Sequence, residues 1–83
     1  MKYIVTVDEA GEELIFTFPS CINHDAFAEA LECFRAFTTG KWERIHRWPI
    51  SAGFIIAGEC SGGSETLGLS ARETIDTKLY KSQ

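Results

Sequence analysis

Two short stretches of alternating residues, 2–7 and 13–18, stand five residues apart at the start of the chain. A period of two belongs to a β-strand, whose successive side chains point to opposite faces. Tyr3, Val5 and Val7 fall on one face of the first stretch, and Leu14, Phe16 and Phe18 on one face of the second. The connecting Asp8-Glu9-Ala10-Gly11-Glu12 places a glycine where a hairpin turn needs positive φ. With Val7 opposite Leu14, Val5 meets Phe16 and Tyr3 meets Phe18, and all six large apolar side chains share one side. This register makes Val5 and Phe16 buried cross-strand neighbours.

Pro19 closes the second stretch. Asn23 is read as a helix N-cap with Asp25 in the first turn. Phe27, Ala30, Leu31, Phe34 and Phe37 then recur at helical spacing, with Glu29, Glu32 and Arg35 on the other side and Gly40 as the stop. Residues 42–48 and 52–57 read as the third and fourth strands, separated by Pro49. Residues 58–64 read as a glycine-rich turn, and 65–69 as a short fifth strand. Ser70-Ala71-Arg72-Glu73 has the capping-box pattern and opens a second helix. In it Ala71, Ile75 and Leu79 form the apolar face, and Arg72 pairs with Asp76 at i,i+4. The order ββα-ββ(β)α predicts an α+β fold, an antiparallel sheet of four to five strands with two helices on one face. The 83 residues fill a single domain, 1–83.

Composition narrows the class. Hydrophobic residues at 45% and charged residues at 24% exclude a disordered acidic tail. No apolar run reaches membrane-spanning length, and the first residues lack the apolar core of a signal peptide. Three cysteines without a C-x-x-C pair point to a reducing compartment, so a cytoplasmic chain without membrane contact is expected. Six Phe, two Tyr and two Trp offer more aromatic surface than one small core hides, and a partner or self-association is the outlet.

Several groupings carry candidate chemistry. Cys21-x-x-His24, with His46 and Cys60, holds the donors of a tetrahedral zinc site. Structural zinc sites use two tight local pairs, however, and only one is present. Buried thiols and a histidine hydrogen-bonding in the open at the helix start account for the same residues, so no metal and no cofactor is expected. Cys33 falls at the flank of the apolar helix face. Cys60, in the glycine-rich loop, is the thiol whose position suggests exposure and reactivity. No nucleophile signature surrounds any of the three, and the chain is expected not to be an enzyme; a rival enzyme reading centres on Cys60. The 58–64 loop has acids at its edges and lacks the lysine and following helix of a phosphate loop.

Residues 41–48, KWERIHRW, form the basic aromatic stretch. On a strand, Trp42, Arg44, His46 and Trp48 project from one face, which suits base stacking and phosphate contact. Charge argues against that use. Residues 1–40 hold two bases and seven acids (−5) and residues 41–83 six bases and five acids (+1), whereas a nucleic-acid binder carries a basic excess. Trp and Arg are also enriched at protein–protein hot spots, so a partner or dimer surface is favoured. Asp8, Glu9, Glu12 and Glu13 gather at the hairpin tip, and Asp25, Glu29 and Glu32 on the first helix. These acids read either as a solvated face or as a patch that steers the chain to a basic partner.

The strings Ile50-Ser51-Ala52-Gly53-Phe54, Gly58-Glu59-Cys60, Gly63-Ser64-Glu65-Thr66-Leu67-Gly68-Leu69, Ser70, Arg72 and Asp76-Thr77-Lys78-Leu79 resemble small phage- and prophage-encoded proteins of unassigned activity. The resemblance covers roughly residues 50–80 and contains no catalytic motif, so it implies a mobile-element origin and transfers no residue role. Small acidic α+β proteins of phages include inhibitors of host defence, anti-CRISPR proteins among them, many of which cover a nucleic-acid-binding surface. The reading is a non-enzymatic, phage-encoded inhibitor or modulator of a host protein, acting in the host cytoplasm. Asp8, Glu9, Glu12, Glu13, Glu29 and Glu32 would steer it to a basic surface, and Trp42, Arg44 and Trp48 would anchor that contact or a homodimer. The alternative is a small nucleic-acid- or ligand-binding module built on residues 42–48. Exposed aromatics beside the acids favour a protein partner; beside Arg44 and Arg47 they favour nucleic acid.

Overall fold

The computed structural model describes the backbone of residues 1–32, 35–38, 41–44 and 47–83, and the side chains of residues 1–31 and 47–83. The two alternating stretches form β1 (Lys2–Asp8) and β2 (Glu13–Phe18), an antiparallel hairpin. Asp8 shapes its turn: Oδ1 accepts the N–H groups of Ala10 (3.0 Å) and Glu12 (2.8 Å), and the Asp8 N–H donates to the Glu12 carbonyl (3.1 Å). Gly11 at φ 84° completes a loop of Glu9, Ala10 and Gly11, a conformation that a side chain would strain.

Closing the loop on Asp8 and Glu12 sets the register one residue away from the expected one. Thr6 faces Leu14, Val5 faces Ile15, Ile4 faces Phe16 and Lys2 faces Phe18. Val5 and Phe16 therefore lie on opposite faces, and Phe16 is only half-buried. Alternation could not choose between the registers because both faces carry large apolar side chains. Tyr3, Val5 and Ile15 are buried on one side, Ile4 and Phe18 on the other.

Two further strands complete a four-stranded sheet: β5 (Arg47–Ile56) and β6 (Glu59–Ser61), in the order β2-β1-β5-β6. Pro49 is not a break between strands; it sits inside β5. The register slips between Val5 and Thr6, leaving Ile50 as the extra residue of a bulge and Pro49 opposite Thr6. β6 pairs only with Phe54, Ile55 and Ile56, so the N–H that Pro49 lacks is not needed in that ladder. Residues 58–64, expected as a turn, supply β6 and then β7 (Gly63–Ser64), which pairs with β8 (Leu69–Ser70). The fifth strand expected over 65–69 is largely the turn between those two.

The first helix, α1, covers His24–Glu32 and stops well short of Gly40. Arg35–Thr38 (β3) instead pairs with Lys41–Arg44 (β4), where Phe37 and Thr38 suit a strand better than a helix. Phe34, Gly40 and Cys33 lie outside the described residues, as do Ile45 and His46. The stretch read as one strand over 42–48 is thus shared between β4 and β5.

The α+β class, the antiparallel sheet and the two helices are as the sequence predicts; the placement of the helices is not. The second helix, α2 (Glu73–Lys81), packs Leu79 and Tyr80 onto Tyr3, Val5, Ile15, Ile55 and Cys60. α1 packs Phe27 and Ala28 onto Ile4, Phe18 and Ala52 on the opposite face. A sheet apolar on both sides needs covering on both, and one helix goes to each. Among the described residues no helix is long and apolar enough to cross a membrane.

Candidate partner-binding surface

One end of the sheet brings together several of the residues singled out from the sequence. Val7 of β1 stands between Glu13 of β2 and Trp48 of β5, so their side chains share one row on the face that α2 covers. α2 rests on the cluster of Tyr3, Val5, Ile15, Ile55 and Cys60, and Trp48, beyond that cluster, remains 46% exposed. Glu9 and Glu12, at the tip of the adjoining hairpin, are exposed at this same end.

Among the described residues, the cations Arg47 and Arg72 are engaged internally. Arg47 points to the other face, where its Nε donates to Thr6 Oγ1 (2.9 Å) and its Nη2 to the Glu12 carbonyl (2.8 Å). Its Nη1 lies 3.5 Å from Asp8 Oδ2. Arg72 donates through Nη2 to Glu13 Oε1 (2.7 Å) and through Nε to Asp76 Oδ1 (3.0 Å). The Glu13 hydrogen bond, reinforced by Asp76, raises the Arg72 pKa further and keeps the guanidinium charged. Asp8 and Glu13, read as partner-binding acids, therefore have structural work: one shapes the turn and holds Arg47, the other holds Arg72.

The other residues of that set divide. Trp42 and Arg44 lie in β4, opposite Phe37 and Arg35, with side chains outside the described residues. Glu29 is exposed on α1, and Glu32 ends that helix with its side chain outside the description. Both belong to the helix on the opposite face from Trp48, so the acids do not form one continuous patch with it.

The sulfur and nitrogen donors are separated. Cys21 is exposed. His24, expected in the open, is 5% exposed; its Nε2 lies 2.9 Å from the Gly53 carbonyl, which only accepts, so that nitrogen carries the proton. The ring stands edge-on to both Phe18 and Phe54. Cys60, expected to be exposed and reactive, is 2% exposed beneath α2, on the other side of the sheet from His24. Burial, opposed by a hydrogen bond with Thr77 and helped by the Asp76 charge, pushes its thiol above the ordinary value, the reverse of what activates a nucleophile. His46 lies outside the described residues, and among those described no group of three or more His, Cys, Asp or Glu converges to hold a metal. A cleft of about 280 Å³ opens beside His24, between Lys2, Asn23, Phe54 and the β7–β8 loop. Lys2 and Glu65 both line it, so it presents no single charge to a ligand.

Sequence reasoning missed the polar lock under α2. Asp76 is fully buried and accepts from the Tyr3 hydroxyl (2.7 Å), the Arg72 backbone N–H (2.9 Å) and the Arg72 side chain. The i,i+4 pairing of Arg72 with Asp76 was visible, but its burial was not. Ile75, placed on the apolar face by spacing, is 56% exposed, because the helix turns Asp76 inward to meet Tyr3. Ser70 belongs to β8 and does not cap α2; Arg72 takes the N-cap position without a side-chain cap bond. The expected capping box is replaced by the Arg72 N–H bonding forward to Asp76.

Compared with family models, with curated proteins and with solved structures, the chain has no match in any of the three.

Proposed function

We propose that this chain is a non-enzymatic protein-binding module that docks on a basic surface of a partner through Trp48 and the acidic hairpin tip. The observation that supports this is the company Trp48 keeps. It shares a row with Val7 and Glu13 at the end of the sheet where Glu9 and Glu12 are exposed. Arg47, the cation beside it in sequence, faces away and is held by Thr6, Glu12 and Asp8. An exposed indole next to carboxylates suits an Arg- or Lys-bearing protein surface, through cation–π contact and charge pairing. Phosphate would meet repulsion there. Extended by the resemblance of residues 50–80, the proposal is a phage-encoded inhibitor or modulator of a host defence protein, anti-CRISPR-like in manner and acting in the host cytoplasm. Formation of a homodimer belongs to the same proposal.

The test is a titration at low ionic strength, where the Debye length is about 30 Å and charge effects are longest in range. An arginine-rich peptide and a single-stranded oligonucleotide are each added to the wild type and to Trp48→Ala. The peptide is expected to bind the wild type and to lose about 30-fold in affinity in the variant, the size of a hot-spot truncation. Oligonucleotide binding that falls steeply with salt would overturn the proposal in favour of a nucleic-acid module, since that slope reports phosphate contacts. Peptide binding indifferent to Trp48→Ala would also overturn it.

A further inference from the structure

β2 is the outermost strand of the four-stranded sheet, and among the described residues no strand pairs with its far side. The hydrogen-bonding phase of the hairpin follows from its closure. The Asp8 N–H donates to the Glu12 carbonyl, so alternation makes Thr6–Leu14, Ile4–Phe16 and Lys2–Phe18 the bonded pairs. The backbone N–H and C=O groups of Glu13, Ile15 and Thr17 therefore point away from β1, toward the open edge.

Proteins usually guard such an edge with lysine, proline or a bulge. From Leu14 to Phe18 β2 carries none of these, and its one charge, Glu13, is paired with Arg72. The strand is also complementary to itself. Paired antiparallel with a copy and centred on Ile15, it sets Ile15 against Ile15, Leu14 against Phe16 and Glu13 against Thr17. No like charges meet. The half-buried Leu14 and Phe16 cover one another across the junction, and the outward groups of residues 13, 15 and 17 all find partners.

We infer that the free edge of β2 is a strand-pairing surface for a second copy of this chain, joining two sheets into one continuous antiparallel sheet. The assembly closes. A two-fold β2–β2 junction uses the β2 edge of both copies. At each end of the joined sheet stand β6, three residues long and bearing Glu59, and the part of β5 that β6 does not pair, which is interrupted by Pro49 and the bulge at Ile50. This names the surface for the self-association in the reading above, and it leaves the docking role of Trp48 untouched.

Thr17 decides the matter because its side chain is exposed and its N–H faces the open edge. Sedimentation equilibrium from micromolar to millimolar concentration is expected to show a monomer–dimer equilibrium for the wild type. Thr17→Pro removes a donor that β1 does not use and is expected to give a monomer with unchanged circular dichroism. Thr17→Lys, facing Glu13 of the copy, is expected to tighten the dimer and Thr17→Glu to loosen it, by about 2- to 30-fold over the two symmetry-related pairs. Should Thr17→Pro not fold, the opposite signs of the charge variants still decide. A wild type that stays monomeric throughout, a dimer that survives Thr17→Pro, or Lys and Glu variants that shift it in the same direction would each overturn the inference. A dimer lost in Trp48→Ala but kept in Thr17→Pro would overturn it too, and would move self-association to the aromatic end.

Discussion

The two faces of the sheet hold their helices by different means. Under α2 the contact is organised by a buried carboxylate: Asp76 gathers the Tyr3 hydroxyl and two groups of Arg72, and Arg72 reaches on to Glu13 of β2. Thr77 adds another tie, its hydroxyl accepting the Cys60 N–H at 2.9 Å. Under α1 the contact is aromatic. Phe18 and Phe27 stack with centroids 4.2 Å apart, and His24 stands edge-on to Phe18 and Phe54, with the bond to Gly53 as its polar tie. Gly53 serves both sides: a Cβ there would collide with the Ser61 carbonyl and press on Tyr3 and Ala71. The polar face demands particular partners in a particular geometry. The aromatic face demands volume, and such packing tolerates conservative exchange.

That contrast is open to measurement by denaturant unfolding. Asp76→Ala is expected to cost about 3–5 kcal/mol, because it strands the Tyr3 hydroxyl and the Arg72 groups beneath the helix. Tyr3→Phe keeps the ring and deletes one hydrogen bond to a charged acceptor, for a loss of about 1.5–3 kcal/mol. On the other face Phe18→Leu is expected to cost less than about 1.5 kcal/mol, the range for hydrophobic swaps that nearly conserve volume. If Phe18→Leu proves as damaging as Asp76→Ala, the distinction between a specific and a tolerant face fails. Glu13→Gln should cost no more than about 1 kcal/mol, since the Arg72–Glu13 pair is partly exposed and such pairs contribute little.

A further property of the α2 face shows only in alkali. Burial, followed by the hydrogen bond to Asp76, raises the Tyr3 pKa far above its ordinary value near 10. Burial likewise raises the Cys60 thiol above its ordinary value near 9. Both groups are neutral when protonated, and raised pKa values in the fold mean that the unfolded chain loses these protons first. Their contribution is whole below about pH 9 and is lost as pH rises beyond the ordinary values toward the raised ones. Unfolding midpoints are expected to hold steady up to pH 8 and to fall at pH 10, with a shallower fall in Cys60→Ala. An equal fall in that variant would remove Cys60 from the account.

The aromatic end was half legible. Trp48 stood out by residue type, and the fold leaves its side chain 46% exposed at the end of the sheet. That Asp8 and Glu13 would be tied to Arg47 and Arg72 was not readable, because those partners come from a strand and a helix far along the chain. The exposure assigned to Cys60 and His24 failed for a related reason. A glycine-rich context and a helix start describe the backbone nearby, whereas burial depends on what packs above, here α2 over Cys60 and the Phe18 and Phe54 rings around His24.

What this sequence determines alone is local. The alternation of residues 2–7 and 13–18, the glycine at the turn and the recurring Phe27, Ala30 and Leu31 specify a hairpin and a helix, because period and φ are properties of neighbours in the chain. Tertiary structure decided the side of the sheet each helix covers and the face α2 turns inward, whereas the register was settled within the turn itself. Strands apolar on both faces accept either register, so the Asp8–Glu12 closure chose. A helix with both Ile75 and Asp76 available turned the carboxylate inward because Tyr3, 73 positions earlier, stood ready to donate to it. A charge is buried only where its partners already wait, and that is a property of the assembled fold.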